Sequence, residues 1–142
     1  MDSGVGNLEL SGMKFQPETS EGVNLIARHE AGRVWVGTPA GVQAYAHSLL
    51  VPWSGEVLRW DATTVAELTP AHFERIAALR PEVVIFGSGP KLTFVAPALQ
   101  RALIELRIGV ETMDTAAACR TYNVLASERR RALAALLVAP QS

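Results

Sequence analysis

The apolar positions of this chain change their period along its length, and the changes mark out elements. From Gly22 to Tyr45 the pattern is short and broken by glycine. Val23, Leu25 and Ala27 alternate with polar neighbours, apart from Ile26. Val34-Trp35-Val36 follows the turn Glu30-Ala31-Gly32-Arg33, and Val42 to Tyr45 follows the turn Gly37-Thr38-Pro39-Ala40-Gly41. Closely spaced strands joined by such turns predict antiparallel pairing. A weaker alternation at Leu8, Leu10, Met13 and Phe15 predicts a short edge strand upstream. Further on, Pro52 has no N–H to give a ladder, which bars the Leu49–Trp53 stretch from a central place in a sheet. Val57 to Trp60 fits a parallel strand, and the Trp53 and Trp60 rings fit the wall or core of the fold.

After Thr69 the period becomes helical. Thr69 suits an N-cap and Pro70 the first helical position, with Phe73, Ile76 and Ala77 on one face. Arg80-Pro81 ends this helix, because a residue before proline disfavours the α region. Val83-Val84-Ile85-Phe86 then reads as a buried strand, a helix is predicted from about Phe94 to Arg107, and Val110 to Met113 reads as another strand. Asp114 or Thr115 caps a helix running to about Ala126. Helix and strand alternating through short loops predict a parallel sheet covered by helices. The tail Arg131–Val138 has the alanine and leucine content of a helix, but pattern alone leaves a buried strand equally open.

Ligands of open α/β sheets sit beyond the carboxyl ends of parallel strands. Two such ends are visible here: Gly87-Ser88-Gly89-Pro90-Lys91 and Asp114-Thr115-Ala116. If their strands are neighbours, the two loops face each other across one crevice. The candidate ligand-binding set is therefore Gly87, Ser88, Gly89, Lys91, Asp114, Thr115 and Arg120, a pocket for a small anion or nucleotide-like ligand. Against it stands a plainer reading, in which the glycines only make a tight strand-to-helix turn, Asp114 only caps a helix, and Lys91 is solvated. The loop matches neither the Gly-x-x-x-x-Gly-Lys-Ser/Thr nor the Gly-x-Gly-x-x-Gly pattern.

Charge and composition narrow the function classes. The 142 residues are 49% apolar, enough for one core, and the whole chain is expected to form one domain with loose ends at about 1–7 and 139–142. A net charge of −1, with acids and bases interspersed, gives no electrostatic case for a nucleic acid. The run Arg129-Arg130-Arg131 fits a solvated helix end. Cys119 is the one cysteine, so the chain cannot close a disulfide on itself, and a buried, inert thiol is expected. Met1 to Gly6 lacks the basic and apolar regions of a signal peptide, and no apolar run reaches the roughly 20 residues of a membrane span. A soluble cytoplasmic protein without membrane insertion is expected. His29, His47 and His72 have no metal-ligand spacing, Ser88 is not in a nucleophile elbow, and no catalytic residue or cofactor is assigned. Tyr122 and Asn123 fit either loop anchors or ligand contacts.

Val84-Ile85-Phe86-Gly87-Ser88-Gly89, with Gly109 to Glu128 including Met113-Asp114-Thr115 and Thr121-Tyr122-Asn123, resembles the family called domain of unknown function 498/598. The resemblance runs from about Ser48 to Val138. That family includes the third assembly factor of mitochondrial complex I and an adipogenesis-associated animal protein. The resemblance implies a three-layer α/β/α domain with a central mixed, mostly parallel sheet and an additional small antiparallel β layer from the N-terminal half. It implies that Arg131–Val138 is a strand, antiparallel to the others. It also implies a glycine where Arg129 stands, which puts the local turn in question. Functionally it points to an uncharacterised non-enzymatic protein, an interaction or respiratory-complex assembly factor with a protein partner. Self-association is a third expectation.

Overall fold

The computed structural model describes residues 22–140. The strand expected around Leu8 to Phe15 lies outside them. Three strands, β1 (Leu25–Glu30), β2 (Arg33–Thr38) and β3 (Gly41–Tyr45), form an antiparallel sheet in that order. A bulge between Ile26 and Arg28 interrupts the expected alternation and turns Ile26 inward opposite Val36.

The chain then builds a five-stranded sheet. Its strands are β4 (Leu49–Pro52), β5 (Leu58–Arg59), β6 (Val83–Gly87), β7 (Gly109–Met113) and β8 (Ala132–Leu136), in the order β5-β4-β8-β6-β7. Helix α1 (Pro70–Ala77) precedes β6, α2 (Arg101–Glu105) precedes β7 and α3 (Thr115–Ser127) precedes β8. The sheet is mixed. β6 runs parallel to β7 and β8, and β4 runs antiparallel to β5 and β8.

Several expectations change on contact with this topology. The tail is a strand, but not one opposed to all the others. A helical crossover through α3 returns the chain parallel to β6, so β8 is antiparallel only to β4. Val57–Trp60 shrinks to the two-residue β5, antiparallel to β4. β4 is an interior strand in spite of Pro52. The β5 ladder reaches only Leu49 and Leu50, so no described strand stands on that side of Pro52 to need its N–H. The helix expected from Phe94 begins later. Pro97 to Gln100 form a 3₁₀ turn that leads into the short α2.

Both faces of the central sheet are covered. On one lie α1 and α2, with Trp60 packed edge-on against Phe73 and Phe86 and those two rings tilted at 60°, the centroids 6.0 to 6.3 Å apart. On the other lie α3 and the three-stranded sheet, closing Ile26, Val34, Val36, Tyr122 and Ala126 over Val51, Ile85 and Ala134. Enclosure from two sides explains why every residue of β6 and β8 is buried. β8 is alanine-rich because it is the middle strand, and Ala118 and Ala126 of α3 share its core.

Among the described residues each of the three α-helices is followed by an arginine in the left-handed region: Arg80 at φ 54°, Arg107 at φ 59° and Arg129 at φ 64°. The turn at Arg129 is thus the glycine-type turn, held by a residue with a side chain. Arg130 N–H then bonds the Leu125 carbonyl at 3.0 Å, and its side chain pairs with Glu82 at 2.9 Å.

Candidate functional site

The parallel strands β6 and β7 do place the two loops side by side. Ser88 N–H bonds the Met113 carbonyl at 2.8 Å, and Thr115 N–H bonds the Gly89 carbonyl at 2.9 Å. Gly87 is buried under α3. A Cβ there would stand 2.9 Å from Thr115 Cα and 3.1 Å from Ala118 Cβ, so glycine is what lets the helix approach the strand. Gly89 has φ +108°, and its N–H donates to Thr115 Oγ1 at 2.9 Å. The Thr115 hydroxyl in turn donates to the Leu137 carbonyl at 2.8 Å, joining the loop to the end of β8. Asp114 caps α3, its carboxylate accepting from Ala117 N–H at 2.9 Å.

Ser88 is buried and faces the loop that follows it. Its hydroxyl donates to the Lys91 carbonyl at 2.6 Å, lies 3.2 Å from the Met113 carbonyl, and accepts from Thr93 N–H at 2.9 Å. These bonds fold Lys91–Ala96 into a braced loop that carries Leu92 at 53% and Phe94 at 72% exposure. The sequence pattern had placed Phe94 at a helix start instead.

A cavity of about 350 Å³ opens beside the loops. Gly89, Asp114, Thr115 and Ala116 form one side, His29 and Gly32 of the β1–β2 hairpin another, and Leu137 to Pro140 the floor. Ala139 and Pro140 are therefore part of its wall. Of the seven residues singled out in the sequence, Gly89, Asp114 and Thr115 line this cavity and Gly87 and Ser88 lie outside its lining. Lys91 is exposed and lines neither this cavity nor the adjoining groove. Arg120 lines that groove, of about 280 Å³, together with His29, Cys119 and Asn123.

His29 is the residue that sequence reading missed. It is half-buried, and burial pushes its imidazole below the ordinary value; Arg120 reinforces this, while Asp114 and Glu30 oppose it. Only the contact between β1 and α3 brings it to Asp114, and nothing in local spacing signals that contact. Burial also pushes the Cys119 thiol up to about 12, which keeps it protonated and unreactive. Tyr122 and Asn123 prove to be anchors. The Tyr122 hydroxyl donates to the Asn24 carbonyl at 2.7 Å, with the Pro52 carbonyl at 3.1 Å, and Asn123 bonds both N–H and C=O of Ile26 at 2.8 Å. They fasten α3 to the three-stranded sheet. Among the described residues no group of His, Cys, Asp and Glu is arranged to hold a metal, and no helix is long and apolar enough to cross a membrane.

A family model described as a protein of unknown function (DUF498/DUF598) matches residues 26–137. Among curated proteins, the chain is similar to NADH dehydrogenase (ubiquinone) 1 alpha subcomplex assembly factor 3 of Bos taurus. The two are 32% identical over 102 residues, which is 70% of this chain and 54% of that protein. The chain thus spans about half the length of that relative. Among solved structures, a Bordetella parapertussis protein superposes with a TM-score of 0.75 at 32% identity, over 84% of this chain and 98% of that one. A Bordetella pertussis protein described as a Mth938-like domain also gives a TM-score of 0.75, at 27% identity, over 92% of this chain and 95% of that one.

Proposed function

We propose, for a chain that belongs to the DUF498/DUF598 family of proteins of unknown function, that it docks on another protein through the Lys91–Ala96 loop and acts as an assembly-type factor. The observation that carries this reading is the pair Leu92 and Phe94, large apolar side chains turned outward on a loop whose base is fixed by Ser88. An exposed aromatic on a preorganised loop loses little conformational freedom on binding, and such anchors dominate protein interfaces. Similarity to a protein named as an assembly factor supports the same reading. The proposal takes residues 1–142 as one folding unit working in the cytoplasm, in keeping with a single, buried thiol.

A pull-down from the source organism tests it, with wild-type chain and Phe94→Asp as paired baits. The expected result is a reproducible partner captured by the wild type and reduced at least tenfold by the variant, with unchanged melting temperature. Identical captures by both baits would remove the loop from the account.

A second reading, a small-ligand site, is favoured by the cavity between His29 and Asp114, whose size falls in the range of ligand pockets. In its anion form it draws on Gly87, Ser88, Gly89, Lys91, Asp114, Thr115 and Arg120. The Ser88, Gly89 and Thr115 N–H groups already have partners, so such a ligand would rely on the Ala116 N–H and on side chains. Thermal-shift screening with phosphates, nucleotides and carboxylates tests it: stabilisation that is lost in Arg120→Ala supports the site, and no stabilisation by any of them ends it.

A further inference from the structure

The stretch Val34 to Gly55 contains no Asp, Glu, Lys or Arg, although 19% of the chain is charged. β3 lies in the middle of it, four of its five residues are exposed, and it is the end strand of its sheet, with no described strand beyond it. The other described edges are guarded. Asn123 caps the backbone of β1 at Ile26, β7 carries Glu111, and β5 is only two residues long. β3 has none of the devices that keep an open edge from pairing: no charge, no proline, no bulge.

We propose that β3 is a pairing edge whose partner is β3 of a second copy of this chain, joined antiparallel about a two-fold axis at Gln43. The side chains of Gly41-Val42-Gln43-Ala44-Tyr45 are self-complementary in that register. The large Tyr45 meets Gly41 of the other copy, an aromatic ring over an edge glycine. Val42, 65% exposed, meets Ala44, and Gln43 meets its own image, where two amides can bond each other. No like charges meet anywhere along the edge.

The backbone parity also agrees. Thr38 and Gly41 close a two-residue turn, and alternate residues of an antiparallel strand point their N–H and C=O groups to opposite sides. Val42 and Ala44 then direct theirs outward. In the proposed register Val42 and Ala44 of opposite copies exchange both bonds, which gives about four backbone hydrogen bonds for the pair of strands. Trp35 and Ala44, cross-strand neighbours on the outer face, continue onto Val42 of the second copy as one apolar row. Five residues bury less than the roughly 1,600 Å² of a standard interface, so the dimer is of the weak, concentration-dependent kind.

The test is light scattering of the full chain from about 10 µM to about 1 mM, the range in which such an interface forms, together with Gln43→Lys and Gln43→Glu. The expected result is a wild-type mass that rises from 15.3 kDa towards twice that value, while each variant stays at 15.3 kDa alone because like charges face each other across the axis. Mixing the two variants should restore the doubled mass, an outcome that misfolding would not produce. A wild type that stays monomeric throughout, as it would if the edge served another protein or the N-terminal residues of the same chain, overturns the proposal. So does a dimer indifferent to both charges.

Discussion

The two poles of the central sheet solve the same problem, a tight junction between helix and strand, with different residues. At the pole where β6 ends, the junction uses glycine twice: Gly87 because Thr115 Cα lies where a Cβ would go, and Gly89 because its φ is +108°. At the opposite pole, where the three helix segments end, the left-handed turns are held by Arg80, Arg107 and Arg129. At the first pole close packing leaves no room for a side chain at Gly87, whereas at Gly89 a Cβ would meet open space and only the backbone angle asks for glycine. The second is open, all three arginines being exposed, so a side chain costs only backbone strain, and a cation there meets the negative end of a helix dipole. The crowded pole also carries the cavity and the braced loop.

The largest expected break in this contrast is Gly87→Ala. The new methyl group meets helix backbone, which cannot swing away as a side chain can. We expect a loss of about 3 kcal/mol in chemical denaturation, at the upper end of overpacking costs. A loss under about 0.5 kcal/mol would mean that α3 is not seated as described. Next is Thr115→Val, which keeps the shape but leaves the Gly89 N–H and the Leu137 carbonyl without their partner. About 2 kcal/mol should go, as for buried groups left unsatisfied, and Thr115→Ser should recover most of it. At the open pole the sign reverses. Arg129→Gly relieves the left-handed strain and should stabilise by about 0.5 kcal/mol after the entropy of glycine is counted. A destabilised variant would show that the Arg129 side chain contributes more than the turn costs.

The smallest effect concerns pH. Because burial holds the His29 imidazole below its ordinary value of 6.5, the unfolded chain takes up the proton more readily than the folded one. Stability contributed by this residue is therefore present at neutral pH and falls as pH drops through about 6.5 and below. Comparing urea midpoints at low and neutral pH should show a shallower slope in His29→Gln, and an unchanged slope would assign the dependence to other groups.

How far the sequence foretold this molecule varies by element for physical reasons. β6 was legible because four large apolar residues between Pro81 and Gly87 leave one reading. The helix cap at Asp114 was legible because capping is local chemistry. β8 was not legible from its pattern, since its alanines answer to the crowding of a middle strand, a tertiary demand that overrides helix propensity; only the family resemblance made it a strand. β5 was given too many residues because Val57 and Trp60 are apolar yet lie outside its ladder. At the site, the two loops at strand ends were legible, but that they face each other hung on the two strands being neighbours, which the structure supplies. The arrival of His29, and the use of Ser88 to shape its own loop, depend on contacts that no spacing encodes.

The central claim is that the outward face of the Lys91–Ala96 loop is where a protein partner sits. Site-specific photo-crosslinking measures this directly, with benzoylphenylalanine placed at Phe94 and, in a second sample, at Val124, another exposed apolar position, on α3. Illumination in the source cells should give a discrete heavier adduct from position 94 and none from position 124. Equal labelling from both, or none from 94, would contradict it.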